Sequence, residues 1–78
     1  MTNLEKYNQV FMETFDKAED ELASYKYQDD AAWDSVGHMS LVAALEDAFD
    51  IMMETDDIIE LSSYQVGIET MKRYGVEL

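Results

Sequence analysis

The chain has no cysteine and no proline, only three glycines, one histidine and one tryptophan, and five Lys+Arg against eighteen Asp+Glu. Each scarcity removes a class of function. Without cysteine there is no disulfide staple, and the chain itself supplies no thiolate as metal ligand or nucleophile. A lone histidine without cysteine leaves no His/Cys set for a zinc centre. A formal net charge of −13 sets the chain against nucleic acid, whose binding depends on Lys and Arg neutralising phosphates, and equally against anionic membrane surfaces. Basic proteins are its natural partners. The longest uninterrupted apolar stretch, Leu41 to Leu45, is far short of a membrane span. Met1 to Val10 has neither the basic start nor the apolar centre of a leader, so a cytoplasmic location is expected.

What is present is enough to fold. The chain of 78 residues is 47% apolar and 12% aromatic, too hydrophobic for an acidic disordered tail. It reads as a single domain over 1–78. A domain this small buries only roughly 60% of the surface its unfolded chain exposes, which counts against a deep catalytic cleft.

The three glycines, Gly37, Gly67 and Gly75, interrupt the helical patterns only weakly, and no linker or repeat is visible. The expected fold is all-α, a small bundle of three longer helices plus one short helix. Leu4, Tyr7, Phe11, Phe15, Ala18 and Leu22 recur at steps of three and four, predicting a helix from about Asn3 to at least Asp16. From Asp20 to Trp33 the period fades, and an ordered loop held by Tyr25 and Tyr27 is expected rather than a strand. A second helix opens at Asp34 and Ser35 and carries Leu41, Val42, Leu45, Phe49 and Met52 on its core face. A short helix comes next, from Thr55 through Leu61. A last helix starts after Ser62, spaced from Gln65 as a capping box, with Ile68 and Met71 facing inward. Lys72 and Arg73 suit its C-terminal end, and Gly75 can close it.

Charge is unevenly distributed. Between Tyr27 and Met71 there is no Lys or Arg, yet eleven carboxylates lie there. At 100° per residue, Val36, Ser40, Ala43, Asp47, Asp50 and Glu54 form one outward stripe of the second helix, flanked by Glu46. A solvated face is the simplest account of such a stripe. Like charges oppose the compact state, however, so a stripe with no basic counterweight points to a surface that meets positive partners.

Asp-rich stretches invite a calcium reading, but a loop starting at Asp50 places Met52, Thr55 and Leu61 where a ligand, the turn glycine and the bidentate glutamate belong. Asp34, Ser35 and His38 are the one group suggestive of nucleophilic chemistry. No nucleophile elbow surrounds Ser35, and adjacent Asp34 and Ser35 diverge, so hydrolysis is disfavoured. From spacing alone, Asp34 or Ser35 serves as a helix cap and His38 as a boundary side chain at the open end of the bundle.

The string from Trp33 to Ile51, with an Asp-Ser pair opening a helix, Leu41-Val42, Leu45-Glu46 and Asp50 after Phe49, followed by an acidic short helix, resembles the acyl carrier protein family. The likeness runs to about Tyr74, whereas Met1 to Asp30 agrees only as an amphipathic helix and a long loop. It implies that Ser35, supported by Asp34, carries phosphopantetheine installed from coenzyme A by a phosphopantetheinyl transferase. It also implies that Val36, Ser40, Ala43, Glu46, Asp47 and Asp50 form a docking face for that transferase and for acyl-loading and acyl-transferring enzymes with basic patches. A bound chain would enter between the helices.

Val36, Gly37, Ser40 and Glu54 depart from the commoner family pattern. The Trp-Asp-Ser-x-Gly-His-Met run is nearer to stand-alone carriers of specialised acyl, aminoacyl or polysaccharide-linked pathways than to the fatty-acid carrier. The expected protein is a monomeric carrier that tethers intermediates as thioesters and catalyses nothing itself. The alternatives are an acidic adaptor binding a basic partner non-covalently, with Ser35 only a cap, and a small hydrolase built on Ser35 and His38.

Overall fold

The computed structural model describes residues 1–78. Its order is α1 (Asn3–Phe15), a 3-10 turn (Glu19–Glu21), α2 (Ser35–Phe49), α3 (Thr55–Glu60) and α4 (Tyr64–Arg73). The all-α bundle of three longer helices and one short one is thus the observed architecture.

Thr2 starts α1 through a capping box. Its Oγ1 accepts the Glu5 N–H at 3.1 Å, and Glu5 Oε1 accepts the Thr2 N–H at 2.9 Å. Those bonds from Thr2 hold the Glu5 carboxyl below its ordinary range. Asp16 ends the helix in the left-handed conformation at φ 53°, which aspartate tolerates better than most side chains. Because the helix stops at Phe15, its period does not extend to the residues beyond. Tyr7, Phe11 and Phe15 are buried, Leu4 and Ala18 are exposed, and Leu22 reaches the core through the 3-10 turn.

The segment after that turn is an ordered loop organised by one carboxylate. Asp30 accepts from Lys17 Nζ at 2.6 Å, the Tyr25 hydroxyl at 2.6 Å and the Ala32 N–H at 3.0 Å. The Lys17 ammonium foremost, then Tyr25, hold the Asp30 carboxyl down to about 2. The loop delivers Tyr25 and Trp33 into a ring cluster. Trp33 has no exposure and lies with its ring centroid 5.0 Å from Phe15, 5.2 Å from Tyr25 and 5.6 Å from Phe11.

The loop is also tied to α4. Tyr27 N–H donates to the Ser62 carbonyl and Tyr64 N–H to the Tyr25 carbonyl, forming a single antiparallel bridge between Lys26 and Ser63. The N-cap of α4 is Ser63, the bridge residue itself, rather than Ser62, and its Oγ accepts the Val66 N–H at 3.0 Å. Gly67 has a steric reason to be glycine: a Cβ there would lie 2.0 Å from the Tyr7 hydroxyl oxygen. That buried hydroxyl donates to the Tyr64 carbonyl at 2.7 Å, and burial pushes its pKa up. After α4, Gly75 turns at φ 81° and Val76 packs against the core. Asn3 Nδ2 donates to the Glu77 carbonyl, which joins the two ends of the chain.

Candidate functional site

The site forms where the loop meets α2. Asp34 is the N-cap of α2, and its Oδ1 accepts the Gly37 N–H at 2.8 Å. Ser35 is the first helical residue, is exposed, and its hydroxyl has no hydrogen-bond partner in the protein. The sequence left the cap open between the two residues, and the structure assigns it to Asp34. An adaptor reading in which Ser35 serves as the cap therefore loses that element. Gly37 explains itself sterically, since a Cβ would fall 2.1 Å from the Ala32 carbonyl oxygen. The loop can press against the first turn of α2, and so present Ser35, only over a glycine.

His38 stands one turn further on, half-buried, with both ring nitrogens engaged. Trp33 Nε1 lies 3.0 Å from Nδ1, and Nε2 lies 2.7 Å from the Ile58 carbonyl oxygen. An indole N–H only donates and a carbonyl only accepts, so the ring is the neutral tautomer with its proton on Nε2. Neither nitrogen is available to take a proton from Ser35, and the hydrolase arrangement is not assembled. The boundary residue expected from spacing is here a cross-link between loop, α2 and α3.

Beside Ser35 lies an apolar hollow of about 360 Å³, bounded by His38, Met39, Ile58, Ile59 and Leu61, with Tyr27 and Ser62 completing the rim. Met39 and Ile59, which line it, are 53% and 73% exposed, and Val36, next to Ser35 in the chain, is 74% exposed. A second hollow, of about 330 Å³, lies between α1 and α2 and is lined by both Lys6 and Asp47.

Val36, Ser40, Ala43 and Asp47 are exposed on the outward face of α2 as the helical period requires, and Asp50, the left-handed C-cap, is exposed too; Glu54, expected on the same stripe, instead lies beyond the end of α2 as the N-cap of α3. Glu46 has a second task, because it is half-buried and its Oε2 accepts the Met53 N–H at 2.9 Å. It pins the chain where α2 ends. There Asp50 adopts φ 52°, the helical register lapses, and Met53 rather than Met52 enters the core. Of the cations, Lys17 pairs with Asp30, Lys72 with Glu69, and Arg73 with Asp57 and Glu60, while Lys6 sits over the Phe49 ring at 5.4 Å. No ion pair reaches Glu46, Asp47 or Asp50.

No three His, Asp or Glu side chains converge as metal ligands, and no helix is long and apolar enough to cross a membrane. No family model, no curated protein and no solved structure matches the chain.

Proposed function

We propose that this protein is a carrier domain of the acyl carrier type, with Ser35 as the attachment point for phosphopantetheine. The observation that carries the reading is the division of labour at the start of α2: Asp34 takes the cap, which leaves the Ser35 hydroxyl exposed and unbonded. With His38 bonded on both nitrogens, Ser35 has no base of its own. That suits a hydroxyl which a separate enzyme must activate. In the transfer, Ser35 Oγ attacks the pantetheine-side phosphorus of coenzyme A and an O–P bond forms. The pyrophosphate P–O bond breaks, the adenosine bisphosphate leaves, and the serine proton passes to a base of the transferase.

When attached, the arm supplies the terminal thiol that a chain without cysteine lacks. The first turn of α2 supports the added phosphodiester, since free backbone N–H groups and the positive helix end favour an anion there. The unpaired carboxylates Asp47 and Asp50, with exposed Val36, Ser40 and Ala43, offer a face to enzymes with basic patches.

Intact-mass measurement after incubation with coenzyme A, magnesium and a broad-specificity phosphopantetheinyl transferase tests the proposal. One phosphopantetheine should be added to the wild type and none to Ser35→Ala, which should stay folded. A wild-type chain that stays unmodified would sink it and favour the non-covalent adaptor.

A further inference from the structure

Only one side chain in the molecule bonds three separate segments together at the candidate site, and that is His38. We propose that His38 is a latch that determines the cargo of this carrier: it confines an acyl group to the surface hollow, so that the site suits short acyl groups and keeps long alkyl chains out of the interior. The inference rests on the carrier reading for the word cargo, and on geometry alone for the latch.

The geometry is specific. The two ring nitrogens lie on different edges of the imidazole, so bonds to Trp33 Nε1 and to the Ile58 carbonyl stretch the ring between the loop and α3. Its plane lies within 17° of the Trp33 ring plane, as an N–H···N bond in the plane of both rings requires, and Tyr27 meets it edge-on at 5.5 Å between centroids. The ring therefore has little room to rotate aside. It forms part of the wall of the hollow that includes Ser35.

A chain passing from Ser35 between α2 and α3 would have to part the bond to Ile58. Swinging the ring out would also leave the indole N–H of Trp33, a residue with no exposure, without its acceptor. With the latch closed, the side chains behind it stay packed on one another. Leu41, Leu45 and Leu61 are fully or almost fully buried, and the Tyr7 hydroxyl already fills the space above Gly67. The hollow itself is open, lined by Met39, Ile58 and Ile59, and rimmed by the hydroxyl-bearing Tyr27 and Ser62. A short acyl group fits it without any rearrangement.

The test compares wild type, His38→Ala and His38→Gln. Each is charged at Ser35 with butanoyl- or tetradecanoyl-pantetheine from the corresponding coenzyme A thioester, and thioester cleavage by hydroxylamine is timed. In the wild type the two chain lengths should be cleaved within about twofold of each other. In His38→Ala the long thioester should be protected roughly tenfold, as expected if about nine-tenths of it is withdrawn from solvent. His38→Gln keeps a donor toward the Ile58 carbonyl and should fall between the two. It supplies the reading should His38→Ala fail to fold.

A second arm needs no modification. Unmodified proteins are titrated with 1-octanol and 1-butanol while the Trp33 indole N–H and the amides of Leu41, Leu45 and Leu61 are followed by NMR. Octanol should move the core amides of the His38 variants and leave those of the wild type in place. If Ser35 cannot be charged and this pattern holds, the carrier reading falls and the latch stands. Protection of the long thioester in the wild type, or octanol moving wild-type core amides, overturns the latch even where charging succeeds.

Discussion

Two halves of this small bundle are held together by different physics. Around α1, the 20–33 loop and α4, six large rings pack on one another: Tyr7, Phe11, Phe15, Tyr25, Trp33 and Tyr64 are all buried. Their polar atoms are bonded within the protein, with Tyr7 donating to the Tyr64 carbonyl, Tyr64 to Asn8 and Tyr25 to Asp30. Around α3 the cohesion is polar and sparse. Its middle is held by Asp57, which receives Arg73 at 2.7 Å and the Tyr74 hydroxyl at 2.6 Å, and by the His38 bond to the Ile58 carbonyl. That bond to Asp57 pushes the Tyr74 hydroxyl pKa up. Ile59 faces solvent, and the stripe of α2 leaves its carboxylates unpaired. Stability is concentrated on one side and unsatisfied surface on the other, so the acidic face can be altered without dismantling the core.

The largest break in that contrast should come from Trp33→Ala. It removes the ring around which the aromatic half packs and the donor that orients His38. Loss of about 3–5 kcal/mol is expected from such a truncation, enough to unfold a domain of this size, and urea denaturation will measure it.

Gly67→Ala attacks the same half by overpacking. With its Cβ aimed at the Tyr7 hydroxyl, it should cost about 1–3 kcal/mol. Tyr7→Phe combined with Gly67→Ala should recover part of this, a non-additivity that a double-mutant cycle will show.

At the junction of the halves, Asp34→Ala should cost about 1 kcal/mol through loss of the α2 cap. Ser35→Ala should leave the thermal midpoint near that of the wild type. If the two substitutions destabilised equally, the assignment of the cap to Asp34 would be wrong.

Acid should loosen the loop that Asp30 organises. Asp30 titrates at about 2 in the fold against an ordinary 3.8, so its charged form stabilises the native state above about pH 4. That contribution is lost as the pH falls from about 4 through about 2. Lys17→Met removes the principal cause of the shift and should flatten the pH dependence of stability in this window, as followed by Trp33 fluorescence.

The smallest effects on stability belong to the acidic face. Asp47→Lys should slow modification by the transferase and weaken its dependence on salt while shifting the thermal midpoint little. Asp50 is less suited to charge reversal, because its left-handed backbone at φ 52° disfavours lysine; Asp50→Asn removes the charge and keeps a tolerant side chain.

The helices were legible because their signals are local. Steps of three and four residues place Tyr7, Phe11 and Phe15 on one side of α1 whatever lies across from them, and the same arithmetic puts Ser40, Ala43 and Asp47 outward on α2. Asp34 and Ser35 marked the start of α2 for the same reason. The pattern misled where a helix ended early. Ala18 lay on the extrapolated face of α1 and Met52 on that of α2, but Asp16 and Asp50 turn the chain into the left-handed region and annul the register.

Composition, periodicity and charge order by themselves determined that this chain is helical, that its second helix opens at the Asp-Ser pair, and that one face is anionic without basic relief. These conclusions come from the geometry of a single helix and from counting charges. Only the tertiary structure decided that Ser63 and not Ser62 caps α4, that Glu46 turns back to hold Met53, and that His38 is neutral and doubly bonded. Those outcomes hang on hydrogen bonds between segments: Tyr27 with Ser62 and His38 with Ile58 join residues many turns of chain apart. Such partners are chosen by the packing of the whole bundle, in which a buried polar atom must find whichever complement the fold brings within reach.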